Sequence, residues 1–154
     1  MTYDYSVENL WKVVSSPNYL NNVHPFCKEN SIIKWNNDHH EDKILYLNNK
    51  TYIRKFVSWK ALKGYDLWIG DNNKDQSFVE WRLEKVGSRS KLTITVYPFL
   101  LSNWPRILSF LPYFLYINIK LKSYLFSVLS GIDWYIKENT PVPKNQFGKH
   151  SWFS

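Results

Sequence analysis

The side chains through which this chain can do chemistry fall into three groups. His39 and His40 adjoin Asp38, Glu41 and Asp42, which gathers metal-ligating residue types in one polar stretch. Adjacent residues on a turn rarely close around one ion, and no spaced second pair such as His-x-x-x-His follows. The stretch therefore reads as a solvated turn, and no metal or cofactor is expected. Cys27 lies close to His24, a pairing that suits nucleophilic chemistry. No third group stands by to orient the two, and a lone cysteine is usually a small buried apolar residue.

The third group is Arg54, Asp66, Glu80 and Arg82, charges set among apolar residues on three successive candidate strands. On an outer face they would form a cross-strand charge ladder. Turned inward, Arg54 paired with Asp66 or Glu80 would orient a ligand carboxylate or carbonyl, and a carboxylate in an apolar pocket would gain the raised pKa of an acid or base. Periodicity does not choose the face. Aromatic residues complete the inventory, with 8 Trp, 11 Tyr and 9 Phe in 154 residues. Trp59, Tyr65, Trp81, Tyr97 and Tyr124 fall on the strands and helix that would line a cavity, where their polar tips need partners. The candidate ligand-binding set is thus Arg54, Trp59, Tyr65, Glu80, Trp81, Tyr97 and Tyr124.

The elements that must hold these residues can be read from side-chain spacing. Val7, Leu10, Trp11 and Val14 mark one helix face, with Ser6 placed as its N-cap and Pro17 ending it. A second helical turn follows at 18–23 before His24-Pro25 forces extended backbone. Strands are predicted at 2–5, 31–35, 43–47, 51–59, 65–70, 77–84 and 91–97, with Asn48-Asn49 as a two-residue hairpin turn. In 77–84 the residues Val79, Trp81 and Leu83 share one face, opposite Glu80, Arg82 and Glu84. A long helix is predicted over 113–137, apolar on more than one side: Phe114, Ile117, Leu121, Val128, Ile132 and Tyr135 form one stripe, Leu115, Ile119, Phe126 and Leu129 another. The chain divides into a domain over 1–139 and an extended surface tail over 140–154.

Length and composition bound the rest. At 154 residues and 44% hydrophobic content the chain supports one core, and it is too apolar for a disordered segment. Its net charge of +7 is spread: residues 1–50 carry 5 basic and 6 acidic groups, 51–102 carry 9 and 5, and 103–154 carry 6 and 2. Basic runs are broken by aromatics and acids, which argues against nucleic acid. One cysteine and a start without a secretory pattern predict a cytoplasmic protein. Residues 96–117 hold a single charge, Arg106, but Pro98, Pro105 and Pro112 interrupt them, so a membrane span is not expected. A membrane-surface contact through Leu100, Leu101, Trp104, Leu108, Phe110 and Leu111 is the alternative to burial there.

This order of elements resembles the helix-grip fold of the START-like superfamily, which includes polyketide cyclase and dehydrase-like proteins, lipid-transfer domains and the plant pathogenesis-related allergens. Val7-Glu8-Asn9-Leu10-Trp11-Lys12-Val13-Val14 followed by Ser16-Pro17-Asn18 is similar to the opening of the bacterial members, and the closing helix over 125–135 fits as well. The glycine-rich loop of the plant allergens is absent, which argues against that branch. The resemblance implies an α+β fold, a curved antiparallel sheet of about six to seven strands wrapped around a long C-terminal helix, with a cavity between them for an apolar or aromatic molecule. Some members catalyse in that cavity and many only bind, so fold does not settle function. Three readings follow: binding, with or without transport, of a small hydrophobic molecule; a cyclase or hydratase-type enzyme using a buried Glu80 or Asp66; and a membrane-peripheral or interaction module. The reading leans toward binding without catalysis and leaves the oligomeric state open.

Overall fold

Most elements form where their side-chain patterns place them, though the strand expected at 2–5 ends at Tyr3, that at 31–35 begins at Cys27 and that at 43–47 begins at His40. The computed structural model describes residues 1–71, 76–99 and 112–154, with side chains of the last segment from Leu115 onward. After a two-residue strand, β1 (Thr2–Tyr3), helix α1 (Val7–Val14) starts at Ser6, whose hydroxyl accepts the Asn9 backbone N–H at 3.3 Å. Its buried face is Val7, Leu10 and Val14, the expected stripe. A single turn, α2 (Leu20–Val23), leads into a meander of β2 (Cys27–Trp35), β3 (His40–Tyr46), β4 (Thr51–Lys60), β5 (Gly64–Gly70), β6 (Gln76–Val86) and β7 (Arg89–Tyr97), and then α3 (Pro112–Glu138).

The strands form one seven-stranded antiparallel sheet in the order β1-β7-β6-β5-β4-β3-β2. The sheet curves around the long helix, so the chain adopts the helix-grip α+β fold expected from its sequence. Val79, Trp81 and Leu83 face the core and Glu80, Arg82 and Glu84 face away, as their alternation requires. One turn differs from the sequence reading. Tyr46 pairs with Lys50 across a three-residue loop, in which Asn49 takes the left-handed conformation at φ 65°, so the two-residue hairpin is corrected by one position. The consequence is large, because a one-residue slip would turn every side chain of β4 to the other face. In the observed register Arg54 lies opposite Asp42.

Along α3, Ile117, Val128 and Ile132 are buried, while Leu115, Tyr116, Ile119 and Phe126 are exposed. Gly131 sits where α3 crosses the end of α2, and a Cβ there would lie 2.1 Å from the Val23 carbonyl oxygen. Residues 140–154, expected as an extended surface tail, run largely exposed but are tied back to the domain at several points. Pro141 and Pro143 end the helix, but the aromatic residues beyond them carry apolar area to bury, and they fold back. Val142 is buried and its N–H donates to Asn22 O at 2.8 Å, Asn145 N–H donates to Pro25 O at 3.0 Å, and the buried His150 donates from Nε2 to Lys120 O at 3.0 Å. Phe153 stacks on Tyr46 at 4.4 Å.

Among the described residues no helix is long and apolar enough to cross a membrane. The stretch holding Leu100, Leu101, Trp104, Leu108, Phe110 and Leu111 lies outside the described residues.

Candidate ligand cavity

Sheet, α3 and the returning tail line a partly open cavity of about 440 Å³. Alternate residues of the strands supply its apolar wall: Ile44 on β3, Leu67 and Ile69 on β5, Val79 and Trp81 on β6, Ile94 and Val96 on β7. Leu121, Leu125 and Val128 of α3 close the opposite side, and Trp152 and Phe153 of the tail complete the rim. The volume lies within the range of small-molecule sites, and the lining follows their pattern of apolar walls with a few placed polar groups.

Arg54 is one of those groups, and it is buried. Its Nε donates to Asp42 Oδ1 at 2.7 Å and its Nη2 to Oδ2 at 2.5 Å, the two-point geometry that suits a guanidinium and a carboxylate. Nη1 donates to the Tyr19 hydroxyl at 3.0 Å, Tyr19 contacts the Tyr65 hydroxyl at 2.8 Å, and Tyr65 donates to Val14 O at 3.3 Å. The guanidinium carbon lies 5.1 Å from the centre of the Tyr19 ring and 5.2 Å from that of Phe56. Burial opposes the charge on Arg54, but Asp42 outweighs it and holds the group protonated.

His24, Tyr46 and Tyr124 form the second polar group, and all three line the cavity. His24 Nδ1 accepts the Phe26 backbone N–H at 3.2 Å, and Nε2 meets the Tyr124 hydroxyl at 2.8 Å. Burial, with Arg54 and Lys144 nearby, pushes the His24 pKa down to about 3, so the ring is neutral at physiological pH. A neutral ring whose Nδ1 accepts carries its hydrogen on Nε2, and His24 therefore donates to Tyr124. The hydroxyls of Tyr46 and Tyr124 are 3.2 Å apart. Burial raises the pKa of both phenols, so each keeps its proton.

Of the seven residues selected from sequence, Arg54, Trp81 and Tyr124 line the cavity. Trp59 and Tyr65 point to the same side of the sheet but lie toward its α1 end. There Trp59 stacks on His40 at 4.1 Å and on Tyr65 at 5.1 Å and meets Trp11 and Trp35, filling that end with aromatic rings. Glu80 and Tyr97 lie on the outer face, where Tyr97 is 54% exposed and donates to Glu80 Oε2 at 3.4 Å. Arg82 bridges Asp66 and Glu80, so these charges form the cross-strand ladder, and Arg54 takes neither of its two expected partners because both face away from it. No carboxylate lines the cavity among the described residues, which leaves an acid–base role for Glu80 or Asp66 without a place to act.

His40 opens β3 instead of lying in a solvated turn, and among the described residues no three His, Cys, Asp or Glu side chains gather as a metal site would require. Cys27 is buried, which pushes its thiol pKa up to about 11, and both ring nitrogens of His24 are engaged elsewhere. The two do not form a nucleophile pair. Sequence reasoning considers His24 and Asp42 only for other chemistry and does not select Tyr46, Trp152 or Phe153, so none of the five is in the expected ligand-binding set. Asp42 had a usable signal: a three-residue turn after Tyr46 places it opposite Arg54.

No protein-family model matches the sequence, nor does any curated protein sequence. Solved structures do match. Ara h 8.0201 superposes with a TM-score of 0.63 at 19% identity, over 90% of this chain and 94% of that one. A protein from Arthrobacter aurescens gives 0.61 at 13%, over 93% and 85%. CalU16 from Micromonospora echinospora gives 0.54 at 15%, over 90% and 78%. At such identities the likeness is one of fold.

Proposed function

We propose that this chain, which has the helix-grip fold of the START-like superfamily, binds a small hydrophobic or aromatic molecule between its sheet and α3. The cavity carries this reading: about 440 Å³ of space with apolar walls, ending on a buried, ion-paired Arg54 and a His24-anchored tyrosine pair. A core built only for stability would fill the inner part of such a space with side chains, because side chains there pack closely. The ligand's apolar body lies along Ile69, Val79, Trp81, Val96 and Leu125, and its polar end meets Arg54 and Tyr124. The chain acts as a binder or carrier.

Native mass spectrometry of gently purified protein, followed by denaturing extraction, tests this directly. The expected result is an extra mass that leaves with organic solvent. Added ligand at 100 times its Kd stabilises the fold by about 2.7 kcal/mol, which a melting curve registers. A clean apo mass, together with no melting shift across a panel of fatty acids, isoprenoids and aromatics, would overturn the reading.

A further inference from the structure

Among the described residues, the polar end of the cavity has more donor hydrogens than acceptors to receive them. A guanidinium carries five N–H groups. Arg54 spends three, two on Asp42 and one on Tyr19, and keeps two without an acceptor among the described residues. The His24, Tyr124 and Tyr46 chain adds a third spare donor. His24 Nε2–H is committed to the Tyr124 oxygen, because the Phe26 N–H already occupies Nδ1. Tyr124 and Tyr46 then hold two hydroxyl hydrogens but share one contact, so whichever of them donates across it, the other hydroxyl hydrogen has no acceptor among the described residues. Both oxygens of Asp42 accept from Arg54, and no Asp or Glu lines the cavity among the described residues.

Charge fixes the kind of acceptor that fits. The Arg54–Asp42 pair is neutral overall and nearly free of solvent, with side-chain exposures of 4% and 0%, and His24 and both tyrosines are uncharged. Lys50 also lines the cavity but is solvent-exposed, so a ligand carboxylate at the Arg54 end would still bring a negative charge close to Asp42, in a site where burying a charge is costly. A carbonyl oxygen has two lone pairs, no hydrogen of its own and no net charge, and it accepts from such donors without that cost. Resting on the binding function proposed above, we infer that the cavity selects hydrophobic molecules with a neutral carbonyl group, a ketone, aldehyde or quinone, received by the spare hydrogens of Arg54 and the Tyr46–Tyr124 pair.

Three probes of matched shape separate the outcomes: 2-acetylnaphthalene, its near-isostere 2-isopropenylnaphthalene, which replaces the carbonyl oxygen by CH₂, and 2-naphthoate. Titration calorimetry on the full chain is expected to show the ketone binding about 10-fold more tightly than the hydrocarbon, as one or two desolvated hydrogen bonds warrant, and more tightly than the carboxylate. In the Tyr46→Phe/Tyr124→Phe double variant the ketone preference falls to about 3-fold, the remainder belonging to Arg54. Equal binding of ketone and hydrocarbon would overturn the inference while upholding the binding function, and a carboxylate that binds best would overturn it on charge. Failure of all three to bind would overturn the inference, while the binding function itself is decided by the native mass and the melting panel described above. The infrared carbonyl band of bound ¹³C-labelled 2-acetylnaphthalene decides the matter without any variant: it is expected to shift to lower frequency than in hexane, and an unshifted band would refute the hydrogen bonds.

Discussion

Replacing Asp42 by Asn should unsettle this protein more than the size of the change suggests. The Asp42 and Arg54 side chains are 0% and 4% exposed and meet at two points, 2.7 and 2.5 Å apart. Solvent does not screen them, so the small values measured for surface ion pairs do not apply. Breaking a buried pair from one side strands the other charge, at a cost of about 3–5 kcal/mol. Asn keeps one oxygen for Nε but turns an amide donor toward Nη2, which places the expected loss at the middle of that range, about 4 kcal/mol. For a domain of this size each kcal/mol lowers Tm by about 2–4 °C, so D42N should melt roughly 8–16 °C lower. Urea unfolding, followed by tryptophan fluorescence with the slope checked for constancy, gives the free energy. The double change Asp42→Leu/Arg54→Met removes both charges and should recover most of the loss. A D42N loss below about 1 kcal/mol would refute the premise that Arg54 is desolvated, and with it the reasoning about the polar end of the cavity.

Three further outcomes are expected. His24 has its folded pKa pushed down to about 3 from about 6.5, so the unfolded chain takes up a proton first. Its contribution is complete above about pH 6.5 and is lost as pH falls toward 3. Between pH 6 and 4 wild type should therefore lose about 2–3 kcal/mol more than His24→Gln, and parallel pH–stability curves would refute this. Phe153→Ala removes a ring that stacks on Tyr46 at 4.4 Å and lines the cavity, and should cost about 2 kcal/mol, less than a fully buried Phe because the ring is half-exposed, and speed ligand release in stopped flow. Gly131→Ala forces a methyl group against the Val23 carbonyl and should lower stability by at least about 2 kcal/mol in urea titration, whereas a neutral change would mean that α3 does not pack on α2 as described.

The helices and strands were legible because their patterns are local. Ser6 and the Val7, Leu10 and Val14 stripe mark α1 within a few residues of chain, and the alternation of Val79, Trp81 and Leu83 with charged residues declares the core face of β6. Arg54 was legible as a candidate but not in its partner, because a hairpin one residue too short puts β4 out of phase with β3 and hides Asp42. Trp59 and Tyr65 show how a correct face can still miss the site. Alternation gives the side of the sheet, but the position along it where α3 leaves space and where Trp11 and Trp35 fill it is set by packing between distant segments. His24 and Tyr124 are 100 residues apart in sequence, and no spacing rule joins them. The contacts of the tail were hidden for a different reason: its prolines signal the end of a helix and say nothing about what the rings after them cover.

The order of the strands also sets the tempo of folding. The six strands of the meander pair with their sequence neighbours, so each hairpin can close soon after its turn forms. β1 is different, since Thr2 finds its partner at Lys91 on β7, across the whole meander and with α1 and α2 in between. Closing so long a loop carries an entropic cost that nothing repays until the meander exists to receive the strand. The β1 edge and α1 should therefore lock late, on the slower side of the millisecond-to-second range typical of non-local sheets. Until then the end of the sheet that Trp11 covers stands open, and the aromatic rings beneath it are the surface on which a stalled chain would stick to its neighbours.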